Sequence, residues 1–216
     1  MDVSNQAFPF GTCQEIEIAG APVKALRITY VGELGWELHF PIEHALPVYQ
    51  SLMSAGGEHG IANAGYRAIE SLRLEKGYRA WSSDIGPDYS PFESGLGWAV
   101  KIKTNTPFMG REAAAEMKAS ERNKSLTCFT VDDPEIVLLG RETIYRNGER
   151  VGWLSSGGWG HTIKKNIGYG YVRNQEGVSV DFLKSGTYEL DIAAKRVPCD
   201  IHFEALVDPK MERIKK

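Results

Sequence analysis

The 216-residue sequence has few cysteines and no long apolar run, and these absences exclude several classes of protein. Its three cysteines, Cys13, Cys128 and Cys199, lie far apart and form no Cys-x-x-Cys pair, which predicts reduced thiols. No apolar segment approaches the ~20 residues of a membrane span, and the start of the chain lacks a secretory signal pattern. We therefore expect no membrane partner and a cytoplasmic location, or the mitochondrial matrix in a eukaryote.

Charged and metal-binding patterns are also sparse. A net charge of -3 offers no basic stripe for nucleic acid. The five histidines stand apart from any cysteine or acid at ligand spacing, so no metal site is predicted. No Ser-His-Asp or Cys-His arrangement can be identified, and no Gly-x-Gly-x-x-Gly follows a strand. The sequence therefore predicts no catalytic residues of these kinds and no dinucleotide-binding fingerprint within this chain.

The most informative segment is residues 27–40, where polar and apolar side chains alternate. This period of two, with glycines on either side of Glu33, predicts two short strands around a tight turn. Such a hairpin would bring Tyr30, Glu33 and Glu37 together at one end. A carboxylate pair beside an aromatic ring suits a flat heterocycle with N–H donors. The plainer alternative is a structural hairpin with an aromatic core and a solvated polar face.

The rest of the first 120 residues predicts helices and one functional loop. Apolar residues at helical spacing, ended by glycines, indicate the longer helices. The loop at 77–85 carries Tyr78 and Trp81, which can stack on a planar ring; alternatively, Trp81 packs beneath the hairpin. The predicted elements are strands at 13–19 and 98–103, and helices at 41–56, 61–76, 90–94 and 108–120.

After a polar joint at 121–124, the pattern changes to short strands with frequent turns. Asn147-Gly148 is the strongest hairpin turn in the chain. Residues 155–161 are glycine-rich but lack the features of a phosphate-binding loop, and are predicted to cross the barrel mouth. His161 and the adjacent basic residues Lys164 and Lys165 either contact an acidic ligand or form a solvated turn. The predicted strands, which indicate an antiparallel barrel or sandwich, are 126–131, 143–146, 150–156, 167–172, 178–182, 188–193 and 199–203.

Several motifs together resemble one known family. Residues 30–37, Tyr-Val-Gly-Glu-Leu-Gly-Trp-Glu, are similar to the Tyr-Thr-Gly-Glu-x-Gly-x-Glu signature of the glycine-cleavage T-protein (aminomethyltransferase) family. Further matching segments follow in the same order. The sequences of residues 63–72 and 181–186 most resemble the C-terminal folate domain of sarcosine and dimethylglycine dehydrogenases. The other matching segments are 70–79, 90–97, 108–112 and 151–157.

The resemblance implies an α+β fold in two parts. Residues 1–120 would be the C-terminal half of a T-protein-like folate-binding domain, an antiparallel sheet with helices. Residues 121–216 would be a small antiparallel β-barrel of the aminomethyltransferase type. The implied function is one-carbon transfer to tetrahydrofolate, with FAD only in an upstream domain. Because the family's catalytic Asp lies in its N-terminal half, we expect a fragment or split gene product that needs the missing half as a partner.

The resemblance also implies particular site residues. Glu37 matches the family's folate-binding Glu, and Tyr30 matches its ring-contacting Tyr. The family's helix Arg is replaced here by Ile69, so another cation is needed, with Arg73 and Arg79 as candidates. Val207 precedes Asp208-Pro209 where the family has a Tyr. The predicted cofactor-binding set is Tyr30, Glu37, Arg73, Tyr78 and Trp81. The alternative function is a non-catalytic regulatory or structural module of the same fold.

Overall fold

The computed structural model describes residues 2–215 as a three-stranded antiparallel sheet with helices, followed by a closed six-stranded antiparallel barrel. This arrangement confirms the predicted α+β class. No helix among the described residues is long and apolar enough to span a membrane. The strands are β1 Cys13–Ile18, β2 Ala21–Leu26, β3 Glu37–His39, β4 Lys124–Val131, β5 Thr143–Arg146, β6 Glu149–Gly160, β7 Lys165–Arg173, β8 Tyr188–Ile192 and β9 Lys195–His202. The α-helices are α1 Ala45–Gly56, α2 Tyr66–Lys76, α3 Arg111–Ala119 and α4 Val180–Lys184.

The first sheet has the order β1-β2-β3 and packs against α1. Ala21, Val23 and Ala25 alternate with exposed residues along β2, so one face of this strand turns inward. Ala21 and Val23 meet Val48 of α1 in a small core. Partly buried apolar residues from β1 and β3 complete it.

Residues 27–36 form a loop, so the predicted first strand of the hairpin is wrong. The ladder between β1 and β2 ends at Leu26 because its partner strand begins at Cys13. Beyond it, the Thr29 hydroxyl accepts hydrogen bonds from two following backbone N–H groups at 3.2 and 3.0 Å. A side chain thus satisfies donors that a strand partner would otherwise take. Only β3 remains of the predicted pair.

Three of the four helical predictions are right in type and differ mainly at their ends. Helix α2 begins at Tyr66 rather than 61, because Gly60 adopts a left-handed conformation and the chain to Gly65 is irregular. It ends, as predicted, at a left-handed Gly77 with φ of 72°. Two predictions are wrong: residues 90–94 form a turn without a helix, and 98–103 contain the end of a 3-10 helix, Gly97–Ala99, instead of a strand.

The barrel closes in the order β4-β7-β6-β5-β8-β9. Asn147 and Gly148 join β5 to β6 with φ values of 51° and 84°, which confirms the predicted hairpin turn. The strand predicted at 178–182 is wrong: Ser179 caps the short helix α4 by accepting the Phe182 N–H at 3.0 Å. The barrel core consists of Phe129, Val131, Leu138, Ile144, Leu154, Val172, Val178, Leu183, Tyr188 and Leu190.

The glycine-rich segment at 155–161 is not the predicted loop, because β6 continues to Gly160. Its glycines serve close packing. A Cβ on Gly157 would lie 2.8 Å from Leu138 Cβ, and one on Gly158 would lie 2.9 Å from Leu74 Cδ1 of α2. A larger residue at 158 would push the barrel wall away from α2, and one at 157 would displace Leu138 of the barrel core.

Charged side chains of α2 bond this helix to the barrel. Arg73 donates to Asp84 at 2.6 Å, and Asp84 accepts from the hydroxyls of Ser155 and Ser156 of β6 at 2.5 and 2.8 Å. Glu75 accepts from the backbone and side chain of Thr162 at 2.6 and 2.8 Å. The barrel begins at Lys124, and the predicted division between residues 120 and 121 stays a prediction.

Candidate functional site

An open cavity of about 560 Å³ lies where residues 28–30, the end of α2 and the C-terminal tail meet. We call it the aromatic cavity. It combines four aromatic side chains with two cationic ones and with a wall from the tail. These residues are Phe10, Tyr30, Tyr78 and Trp98, then Lys76 and Arg79, then Ala205, Pro209 and Met211.

Tyr30 and Tyr78 form the flat part of the cavity wall. Their ring centroids lie 6.1 Å apart with an interplanar angle of 9°. The Tyr30 hydroxyl donates to the Arg79 carbonyl at 3.1 Å, which fixes the direction of the ring. Burial raises the pKa of both phenols, so both stay neutral at neutral pH. Near-parallel neutral rings offer stacking surface to a planar ligand.

The loop that carries Tyr30 rests directly on Lys76. Gly32 has a φ of +77°, and a Cβ at this position would lie 2.7 Å from Lys76 Cδ. Both the backbone conformation and the close approach therefore require glycine. The signature glycine holds Tyr30 at the end of α2.

The C-terminal tail closes one side of the cavity through two ion pairs. Lys76 Nζ lies 3.0 Å from Asp208 Oδ2, with both side chains buried, and Arg213 Nη1 lies 3.1 Å from Glu33 Oε1. Burial alone would raise the pKa of Asp208, but hydrogen bonds from Lys76 and two backbone N–H groups outweigh it and lower the pKa. Asp208 is therefore an ionised anchor for the tail.

Arg73, one of the two predicted ligand cations, does not line the cavity. It is 1% exposed and contacts Glu70 Oε2 at 2.8 Å and Asp84 Oδ2 at 2.6 Å. Burial opposes its charge, but the two carboxylates outweigh this and raise the pKa of the guanidinium. Its donors are used inside the protein. Of the two candidates, Arg79 is the cation that faces the cavity.

Glu37 and Trp81 also lie outside the aromatic cavity. The Glu37 side chain is 49% exposed, and its Oε2 lies 3.5 Å from His39 Nε2. Trp81 is 71% exposed, so it does not pack beneath a hairpin. Tyr30 and Tyr78 are thus brought together, whereas Glu37 and Trp81 face solvent. The ligand-binding roles of all these residues stay predictions.

Sequence reasoning missed part of this wall. Trp98 lines the cavity and is 80% exposed, but its surroundings resembled a strand. Met211 comes from a tail without periodicity. The adjacent Gly95-x-Gly97 was the only available signal of a turn that could present Trp98. Lys165, one of the basic residues considered as a contact for an acidic ligand, is paired within the protein: its Nζ lies 2.7 Å from Asp132 Oδ1.

Comparisons with known proteins identify the family. Residues 1–104 match the family model of the GCVT N-terminal domain, and residues 124–208 match that of the glycine cleavage T-protein C-terminal barrel domain. The chain belongs to the glycine-cleavage T-protein family. Its similarity to sarcosine and dimethylglycine dehydrogenases identifies it more narrowly, as a T-protein-like domain of that dehydrogenase family.

The individual relatives are much longer than this chain. Mouse sarcosine dehydrogenase, mitochondrial, is 47% identical over 216 residues, covering 99% of this chain and 23% of its own length. Human dimethylglycine dehydrogenase, mitochondrial, is 35% identical, covering 100% of this chain and 24% of its own length. Mouse pyruvate dehydrogenase phosphatase regulatory subunit, mitochondrial, is 36% identical, covering 88% and 23%. The chain thus spans about a quarter of the length of these relatives.

A solved structure shares the fold. The crystal structure of glycine cleavage system aminomethyltransferase T from Bartonella henselae matches with a TM-score of 0.78 at 24% identity. The match covers 93% of this chain and 53% of that structure. The sheet, helices and barrel described above therefore form part of the T-protein fold.

Proposed function

We propose that this chain is the tetrahydrofolate-binding portion of an enzyme that transfers a one-carbon unit from a methylated amine. The aromatic cavity carries the proposal. Its parallel Tyr30 and Tyr78 rings suit a flat heteroaromatic system, and Arg79 beside them suits a carboxylate. Tetrahydrofolate has both features, a planar pyrimidine ring with a planar p-aminobenzoyl ring, and an anionic tail.

Each residue has a distinct part in this proposal. Tyr78 and Tyr30 hold the rings, and Arg79 attracts the tail. Glu37 accepts N–H donors of the pterin edge, where a charge-assisted bidentate pair is strong. Because Glu37 lies outside the aromatic cavity, the ligand has to reach from the cavity to β3. When bound, the cofactor supplies the nitrogen that accepts the one-carbon unit, and the chain binds and orients it.

The same proposal assigns FAD to another part of the parent enzyme, because this sequence has no dinucleotide fingerprint. Exposed apolar residues of the N-terminal region offer a contact surface for the remaining half of the folate domain. Ile42, in the 3-10 helix Ile42–His44, and Leu46, near the start of α1, are 85% and 64% exposed. The mitochondrial relatives support a matrix location in a eukaryote.

Calorimetric titration of the 216-residue chain with tetrahydrofolate tests the cavity. Tyr78→Ala removes one stacking face and is expected to weaken binding roughly tenfold. Tyr49→Ala is the matched control, because Tyr49 is 46% exposed on α1 and outside the cavity. Equal affinities for Tyr78→Ala and the unmodified chain would remove the cavity from the proposal.

Glu37 is tested separately. Glu37→Gln keeps the shape but loses the charge, and is expected to weaken tetrahydrofolate binding roughly tenfold. Glu43→Gln, at an exposed position before α1, serves as the control. Unchanged binding by Glu37→Gln would exclude its carboxylate from the site while leaving the aromatic cavity intact.

The likeness to a phosphatase regulatory subunit favours one second candidate, a non-catalytic regulatory module. Turnover of a methylated amine, measured after the N-terminal half is supplied in trans, separates the two. Turnover supports the enzyme; tetrahydrofolate binding without turnover supports the regulatory module.

A further inference from the structure

We propose that a second, smaller cavity binds an organic oxyanion, namely a carboxylate carried on an apolar body. This barrel-side cavity has a volume of about 260 Å³ and lies against β4, β9 and α4. It shares Lys76, Gly77, Arg79 and Ala205 with the aromatic cavity, so the end of α2 separates the two. The proposal does not rest on folate binding; the two proposals share Arg79, whereas Arg122 belongs to the barrel-side cavity alone.

Two arginines make one end of the barrel-side cavity cationic. Arg79 Nε donates to the Ser94 carbonyl at 3.1 Å, and Arg122 Nη1 donates to the Phe92 carbonyl at 2.9 Å. Carbonyl groups fix the two guanidinium groups without neutralising them. Within residues 2–215, neither arginine forms an ion pair with a carboxylate. Their positive charges remain available to an anion.

The wall beside the arginines supplies neutral hydrogen-bonding groups. Ser125 and Thr127 of β4 both line this wall, and the Thr127 hydroxyl donates to the Ser125 carbonyl at 3.3 Å. Burial raises the pKa of the Cys128 thiol to about 12, and it raises that of Tyr169 as well. Both groups are therefore protonated at neutral pH, so the carboxylate among the described lining residues is that of Glu204, which is exposed where the open groove begins.

Much of the remaining lining is apolar, and part of it lies next to the arginines, because the Val178 N–H donates to the Arg122 carbonyl at 2.6 Å. Leu126, Val178 and Leu183 belong to this apolar lining, and Val180 and Phe203 continue into an open groove beside α4. A bare oxyanion such as phosphate would leave this surface unused, and a neutral apolar molecule would leave the arginines without a counter-charge. An anionic head on a small apolar body matches both the arginines and the apolar lining.

Benzoate is the probe that combines the two features. We expect saturable binding of benzoate to the full chain, measured by calorimetry, and weaker binding of both inorganic phosphate and benzyl alcohol. Arg122→Gln should weaken benzoate binding roughly tenfold, whereas Arg122→Lys should retain most of it. Arg150→Gln is the matched control, since Arg150 is an exposed arginine of β6 outside the cavity.

Tetrahydrofolate titration separates this proposal from the previous one. Because Arg122 does not line the aromatic cavity, Arg122→Gln should bind tetrahydrofolate like the unmodified chain. Equal benzoate affinities for Arg122→Gln and the unmodified chain would overturn the proposal. Tighter binding of phosphate or of benzyl alcohol than of benzoate would overturn it as well.

Discussion

The barrel and the N-terminal region are held together in different ways. Every barrel strand pairs with two neighbours, and the closed sheet surrounds a large apolar core. The N-terminal region has an open three-stranded sheet over a small core, and α3 buries none of its residues. Yet the aromatic cavity takes Tyr30 and Trp98 from this less tightly packed region. The comparison indicates that the barrel is a rigid support for the aromatic cavity, whereas most residues that line this cavity come from the segments packed beside the barrel.

Helix α2 connects the two regions, and breaking this connection should have the largest effect. Asp84 is 0% exposed and Arg73 is 1% exposed, so Asp84→Ala removes the buried one of the two carboxylates that pair with this guanidinium and leaves it with Glu70. The expected loss is about 3–5 kcal/mol in the free energy of unfolding. Urea denaturation measures it.

Asp88→Ala is the control for this prediction, because Asp88 is exposed in the same loop. A loss from Asp84→Ala no larger than that from Asp88→Ala would show that the ion pair does not bond α2 to the barrel.

A matched pair of buried valines compares the two cores directly. Val131 in the barrel is 2% exposed and Val48 in α1 is 1% exposed. Val131→Ala should cost about 2 kcal/mol, because a closed barrel cannot collapse around the missing methyl groups. Val48→Ala should cost only about 1 kcal/mol, since α1 can shift against the open sheet. Unfolding monitored by circular dichroism gives both values, and the reverse order would contradict the comparison.

The tail that joins both regions should respond to acid. Because the folded-state pKa of Asp208 is lowered from its ordinary 3.8, its ionised form stabilises the fold above that value. This contribution is lost as the pH falls through the lowered pKa. The difference in unfolding midpoint between the unmodified chain and Asp208→Asn should therefore be present at neutral pH and shrink below about pH 4. A difference that stays constant down to pH 2 would contradict the assigned role of Asp208.

The same contrast explains what could be predicted from the sequence. Frequent turns such as Asn147-Gly148 separate the barrel strands, so most of these strands were predicted with small errors at their ends. The loop prediction for residues 155–161 was wrong because the glycines of this segment belong to β6 and allow α2 to pack closely against it. No local sequence pattern reveals that contact. The first strand of the hairpin predicted in residues 27–40 was wrong as well. The ladder that would extend it ends at Leu26, because the partner strand β1 begins at Cys13.

The site was predictable only where a motif marked it. The sequence identified Tyr30 and Tyr78 as candidate ligand-binding residues, and their rings stack in the cavity wall. Arg73 was misjudged because its burial depends on Asp84, whose position in the fold the sequence pattern does not show. Trp98 was missed because its role depends on a tail more than a hundred residues away.

The most direct test of the ligand cavity compares two exposed tryptophans. Trp98 lines the aromatic cavity and Trp81 does not, although they are 80% and 71% exposed. Tetrahydrofolate titration should show roughly tenfold weaker binding for Trp98→Ala and less than about a twofold change for Trp81→Ala. Weaker binding for Trp81→Ala alone, or no change for Trp98→Ala, would contradict the placement of the ligand.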